Sequence, residues 1–510
     1  MTTADAGTGP VWRHLSTVFL ITMTDHQFSR REFLVLSAGA AAAHAFNAPL
    51  FAQTQSTASH ELSREEVERM IRPAFECNDP ELWRLTVDAY HQCVLGKLRP
   101  AEPPLKHPWL VPGGGYVGQW IWDTMFVADL LSYLPGQREN LRGVFQNYWD
   151  FQERWNSAKP EYAHGMIANF IAPNSGPKAF SGKTWQNFPM FSQAPLIAWG
   201  IEQIYRRTGD LELVRSGVGP LEAFHEWYWR ERDIDDVGMV CVGSYDGVKQ
   251  HARDETYDRE VDLDDIKMVP HPGRPSGNNN GPWYGDILIP ANTAYLLLSE
   301  QRLAQLAAEI GDRAMQSRRE QRLAKGVAAM RTHMWDEKCG CFLALRRGTL
   351  EKIQPATVGG FVPLFSPVPA PEQAARMTES LRGPDWATPL PVPTVARTNK
   401  KYRSGGFWRG DVWPPTNFQV ASGLAQHGYR ELAAQIADTT IDNAIRFGIS
   451  ERYNSRTGAA LGVHGLGMSA LVITMALNGL SAKRKIRWLG NGNATPLANS
   501  RTLITTSSQS

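Results

Sequence analysis

The chain is 510 residues long, enough for one large domain or two to three of average size, with 42% hydrophobic and 20% charged residues. Lys and Arg total 53 against 51 Asp and Glu, a net charge of +2 that excludes a concentrated basic surface and with it nucleic acid as the main partner. Five cysteines at irregular spacing exclude a disulfide scaffold, and Cys339-Gly-Cys341 has no second Cys/His pair at zinc-site spacing.

The first element is an export signal. Ser29-Arg30-Arg31-Glu32-Phe33-Leu34 precedes an Ala-rich apolar run over 34–45. A twin-arginine pair ahead of a moderately apolar stretch reads as a Tat signal, which carries folded proteins across the bacterial inner membrane. The run is about a dozen residues, short of the ~20 that span a bilayer, so no stable membrane anchor is expected. Met23 opens a normal signal of this kind and is the expected translation start, with cleavage after Ala45 or Ala52. The mature protein is expected to be soluble and periplasmic or secreted.

Helical signals follow in pairs. Apolar residues at helical spacing over 196–205 stop at Thr208-Gly209-Asp210, and a second helix starts near Leu211. The same shape recurs at 292–310 with Gly311-Asp312 before 313–335, and at 418–426 with His427-Gly428-Tyr429 before 430–447. Residues 130–134, Pro135-Gly136 and 140–155 make a fourth. Each is a helix, a Gly-centred stop and a returning helix. Single helices are expected at 64–94 and 468–480. Repeated helical hairpins without a tandem sequence motif point to an all-α fold, a closed (α/α)6 toroid, rather than an open solenoid. The expected organisation is a signal region at 1–52, a barrel domain at 60–482 and a flexible tail at 483–510.

The loops between hairpins, 100–123, 157–194, 238–291 and 385–417, are long and rich in Gly, Pro and Trp; loops of that length are uncommon unless functional. The chain holds 17 Trp beside 14 Tyr and 20 Phe, enough indole either to fill a core or to stack on sugar rings. In Gly113-Gly-Gly-Tyr116-Val-Gly-Gln-Trp120-Ile-Trp122-Asp123 the triple Gly frees the backbone, and Asp123 is either a helix N-cap or a carboxylate for sugar hydroxyls beside Trp120 and Trp122. Seven acidic residues crowd positions 254–265 (Asp254, Glu255, Asp258, Glu260, Asp262, Asp264, Asp265). They form a solvated acidic loop, a calcium site or the setting of a general acid whose pKa like charges and burial raise; the regular ligand pattern of a calcium loop is missing. Gly405-Gly-Phe-Trp408-Arg409-Gly-Asp411-Val-Trp413-Pro-Pro and Ser450-Glu451-Arg-Tyr-Asn454 complete the set.

These segments resemble known glycosidases in order along 110–475. The first is similar to the Pro-Gly-Gly…Trp-Asp signature of trehalases and the Trp-x-Trp-Asp of family 63 glycoside hydrolases; Gly115 and Gly118 replace the trehalase Arg and Glu. His251-Ala-Arg-Asp254-Glu255-Thr256-Tyr257-Asp258 resembles the family's acid stretch, which makes Asp258 the general acid, with Asp246 its rival. Gly405–Asn417 resembles Tyr-Trp-Arg-Gly-Pro-Val-Trp-Pro-Pro-Thr-Asn, with Asp411 where Pro is usual. Glu451-x-Tyr-Asn-x-x-Thr-Gly resembles the catalytic-base segment and makes Glu451 the base. Ser192-Gln193 and Trp283-Tyr-Gly-Asp resemble two further segments.

The resemblance implies an inverting hydrolase of an α-glucosyl or α-mannosyl bond, with Asp258 and Glu451 catalytic. Trp120, Trp122, Asp123, Gln193, Tyr257, Trp283, Trp408, Arg409, Trp413 and His464 are the implied sugar-binding residues. It implies no metal and no cofactor, and a carbohydrate as the substrate. A toroid epimerase or lyase using His164, His251 or His464, or a sugar-binding relative without activity, is the competing expectation.

Overall fold

The computed structural model describes residues 62–158, 163–175, 189, 191–244, 267–270, 283–354 and 356–490. All lie in one unit, Gln55–Ser510. The twin-arginine segment and residues 491–510 fall outside them. The helices are α1 (Arg64–Ile71), α2 (Pro80–Ala89), α3 (Ile121–Leu131), α4 (Arg138–Ala158), α5 (Ile197–Thr208), α6 (Leu211–Arg232), α7 (Pro290–Glu309), α8 (Arg313–Ala329), α9 (Pro371–Arg382), α10 (Pro414–Gln426), α11 (Arg430–Phe447) and α12 (Leu471–Leu477).

Six inner elements close a ring. α3 packs on α5, α5 on α7, α7 on the 3-10 turn Val362–Phe365, and that turn on α10. α10 packs on α12 and on the 3-10 turn Gly467–Ala470 ahead of it, and that turn packs back on α3. The inner helices α3 and α10 are covered on every side along most of their length. All eleven residues of α3 are buried, and α10 is buried from Pro414 to Leu424. The outer helices are exposed on one side; α8 buries only Met315, Arg319 and Gly326. The expected toroid of helical hairpins is the observed architecture. Its turns are the Gly stops read from sequence: Gly209, Gly311 and Gly428 have φ of 66°, 81° and 92°.

Buried charge ties the layers together. The Asp129 carboxylate of α3 meets Arg207 of α5 at 2.8 Å, with the guanidinium 3.6 Å above the Tyr133 ring. Glu300 of α7, fully buried, accepts the Trp229 indole N–H of α6 at 2.6 Å and Arg319 of α8 at 3.4 Å. Charges this deep are tolerated because they are paired.

Four expectations need correction. Residues 64–94 are not one helix: Pro73 ends the first, and Asp79 restarts the chain by accepting the Glu81 and Leu82 amides ahead of Pro80. The fourth hairpin begins at Ile121 rather than at 130, because the extended residue Trp120 ends there. α9 was not anticipated, although Pro371 sits at its first turn, the position proline favours. Residues 483–490 are not loose. Arg487–Trp488 pairs with Phe75–Glu76, the Trp488 indole donates to Tyr133 O at 2.9 Å, and Arg484 holds Asp79 and Asp442.

Each outer helix returns the chain, so the N-termini of the inner elements share one end of the ring. The segments singled out in the sequence are the ones that enter those N-termini: 112–120 before α3, 192–196 before α5, 283–289 before α7, 405–413 before α10, and 449–466 before the last turn. The fold therefore collects residues hundreds of positions apart at a single mouth, toward which helix dipoles point their positive ends.

Candidate active site

Glu451 lies on the short strand Ser450–Tyr453, paired antiparallel with Ala460–His464. The register runs Ser450↔His464, then Arg452↔Leu461, so Glu451 stands opposite two residues, Gly462 and Val463. This bulge bends the partner strand away and leaves the carboxyl room to fold over it. Only glycine fits at 462: its φ is 74°, and a Cβ there would lie 2.0 Å from Glu451 Oε2. The same oxygen accepts the Val463 N–H at 3.2 Å, while Oε1 accepts the Tyr116 hydroxyl at 2.9 Å. The side chain is thus buried, 5% exposed, and fixed by two donors from different loops.

Tyr116 reaches Glu451 because of the glycines before it. Gly114 has φ of 60°, and a Cβ on it would strike Val463 at 2.7 Å. The Gly-rich stretch is therefore a close-packing device that sets a tyrosine on the carboxylate, a role its sequence pattern did not disclose. Tyr116 also meets Trp120 edge-on with ring centroids 5.6 Å apart, and Trp120 stacks on Phe170 at 4.7 Å. That stack is held by the pairing of Gln119–Trp120 with Phe170–Ile171.

Asp123 is in the first turn of α3 and is buried; the N-cap position belongs to Trp120, so the capping reading fails. Burial pushes its carboxyl up to about 7, and the negative charge of Glu451 adds to the shift. Asp123 and Glu451 are thus electrostatically coupled across the mouth. Gln193 is buried as well, and its Oε1 accepts the Trp122 backbone N–H at 2.8 Å. It satisfies an orphan amide at the start of the helix that carries Asp123.

Trp122 faces the core rather than a sugar. It is 1% exposed, its indole N–H donates to Met468 Sδ at 3.1 Å, and its ring packs against Phe126 and Tyr295. Trp408 and Trp413, also buried, stack on each other at 4.4 Å. Arg409 is half-buried beside them. His464 is exposed at the far end of the hairpin, with Nδ1 2.8 Å from Ser450 Oγ. His164 is exposed and offers its carbonyl to Arg230.

Asp258, Tyr257, Asp246 and His251 lie outside the described residues. The ends of their loop do not. Gly243–Ser244 and Met268–Pro270 both pair with Trp283–Gly285, the segment that leads into α7. Half-buried Trp283 stands opposite Ser244 and Pro270. No cluster of metal-ligating side chains occurs among the described residues.

A helical toroid with a carboxyl pair and aromatic residues at one mouth defines the class of toroid glycoside hydrolases. The chain belongs to the family described as the mannosylglycerate hydrolase MGH1-like glycoside hydrolase domain, which it matches over residues 116–469. It is 24% identical over 402 residues to the mannosylglycerate hydrolase of Thermus thermophilus, covering 71% of this chain and 94% of the relative. It is 27% identical over 421 residues to the mannosylglycerate hydrolase of Rubrobacter radiotolerans, covering 71% and 92%. A crystal structure of the GH63 mannosylglycerate hydrolase from Thermus thermophilus in complex with Tris matches with a TM-score of 0.61 at 21% identity, over 76% of this chain and 99% of that one. The chain is thus a family 63-like enzyme acting on glycosides.

The raised Asp123 pKa has a stability consequence. An unfolded Asp loses its proton near 3.8, whereas the folded one keeps it to about 7, so the fold binds the extra proton in between. Stability is complete below about 3.8 and declines as pH rises through about 7, by on the order of 4 kcal/mol at ~1.4 kcal/mol per unit. Asp123→Asn has nothing to ionise. Thermal melts should show the variant gaining on wild type between pH 4 and 7 and holding a constant lead above, while turnover falls at every pH.

Proposed function

We propose that this enzyme hydrolyses an α-mannosyl or α-glucosyl bond with inversion, Glu451 activating water and Asp258 protonating the leaving oxygen. The observation that carries this is the Glu451 carboxylate, buried at the mouth and pinned by the Tyr116 hydroxyl and the Val463 amide. A base that must hold one water on one face of a sugar needs that rigidity, since a 1 Å error costs ~100-fold. Protonated Asp123 donates to a sugar hydroxyl, and Trp120, Trp283 and Arg409 line the sugar's approach; Tyr257, next to Asp258 in sequence, joins them. The relatives named for mannosylglycerate make an α-mannoside of a small organic acid the first substrate to try.

Reducing-sugar release from a panel of α-mannosides, α-glucosides and mannosylglycerate identifies the substrate. On it, Asp258→Asn should fold and lose at least ~100-fold in turnover, since general-acid donation contributes ~10²–10⁴. The same loss from Asp246→Asn with Asp258→Asn active would transfer the acid role to Asp246.

We also propose twin-arginine export, on the strength of Arg30-Arg31 ahead of the 34–45 run. Changing both Arg30 and Arg31 to Lys should retain the protein in the cytoplasm on cell fractionation; unchanged export would remove this reading.

A further inference from the structure

Asp411 is fully buried on the turn that precedes α10. Its Oδ2 meets Arg452 Nη1 and accepts the Phe407 N–H at 2.9 Å. Arg452 lies beside Glu451 on the same strand and projects to the opposite side, its guanidinium 5.1 Å from the centre of the Phe407 ring. Phe407 is itself unusual, with φ of 62° and a ring 39% exposed, edge-on to Trp413 at 5.3 Å. Asp411 Oδ1 and Arg452 Nε are both buried and have no hydrogen-bond partner among the described residues. The two groups therefore depend on each other for charge compensation. Burial disfavours the Asp411 carboxylate, and the adjacent guanidinium opposes that effect.

The other ties of the strand that carries Glu451 are local: Val412 and Tyr453 exchange backbone hydrogen bonds at 2.9 and 2.8 Å, and the Tyr453 hydroxyl accepts the Ser450 N–H and donates to Gly448 O. On one edge its ladder is interrupted by the bulge at 462–463; on the other it has a single bridge, Val412↔Tyr453. A slip of one residue along the strand would move a side chain by ~3.3 Å and turn it to the other face. A buried ion pair between the turn and the strand removes that freedom.

We infer that Asp411 and Arg452 are positioning residues for Glu451, an ion pair that fixes the register of its strand and so the place of the water it activates. This rests on the reading of Glu451 as the base. Neither residue touches the sugar in this account, so ground-state binding is left alone and the effect falls on turnover.

The test compares Asp411→Asn and Arg452→Met in two backgrounds, wild type and Glu451→Ala supplied with azide, on the α-glycoside that wild type cleaves. In wild type each change should lower kcat ~10–100-fold with KM within ~3-fold. In the azide-rescued background, where no carboxylate remains to be positioned, each should cost less than ~2-fold. The double variant Asp411→Leu with Arg452→Met leaves no buried charge unpaired; it should fold on circular dichroism and show the same kcat loss. Wild-type kcat in the folded double variant would overturn the inference, as would equal losses in the two backgrounds or a rise in KM with kcat intact. If Glu451→Ala alone keeps full activity without azide, the base reading itself falls and takes the pair with it; a dead but azide-rescued Glu451→Ala with indifferent pair variants refutes the pair only.

Discussion

Burying a carboxylate at the mouth of an apolar ring is the constraint on which the site depends. An ionised Glu removed from water needs donors aimed at it, and neither donor to Glu451 comes from its own strand. Tyr116 belongs to the loop before α3, and the Val463 amide to the bulged partner strand. Glycine is required on both sides, at 462 so that the carboxyl can lie over the backbone and at 114 so that the tyrosine loop can touch Val463. The site is held by close backbone approach more than by large side chains.

The ring explains how such distant segments meet. The inner helices bury most of their length and pair the charges they carry, which leaves chemistry largely to the loops that enter them. Asp123 differs from the other buried carboxylates described above, Asp129 and Glu300, in facing Glu451 rather than an arginine. It sits inside the first turn of α3, where burial and the neighbouring Glu451 hold its carboxyl up near 7. Stability is lost there, because a carboxyl held out of water costs the fold as soon as it ionises.

Helix existence and hairpin order were legible because apolar residues recur at helical spacing and glycine marks each stop. Boundaries were not legible where proline and an Asp cap broke an apolar run, at Pro73 and Asp79. Glu451 was singled out through its neighbours Tyr453 and Asn454, but the residues that hold it were not. The contact of Tyr116 spans 335 positions, and nothing in a local pattern shows it. Tryptophan count misled at Trp122, since periodicity cannot distinguish an indole that faces a sugar from one that faces Met468. Asp411 was visible as a departure from the family pattern; its partner Arg452 was not, because pairing across the turn is a property of the fold.

The central claim is that Glu451 holds a water on the face of the sugar opposite the leaving group. Proton NMR of the first sugar released from an α-linked substrate reports this directly, before mutarotation mixes the anomers. With Glu451 as the base, the β-anomer appears first. An α-anomer appearing first would contradict it, because Glu451 would then be no base toward water and the paired carboxyls would need different roles.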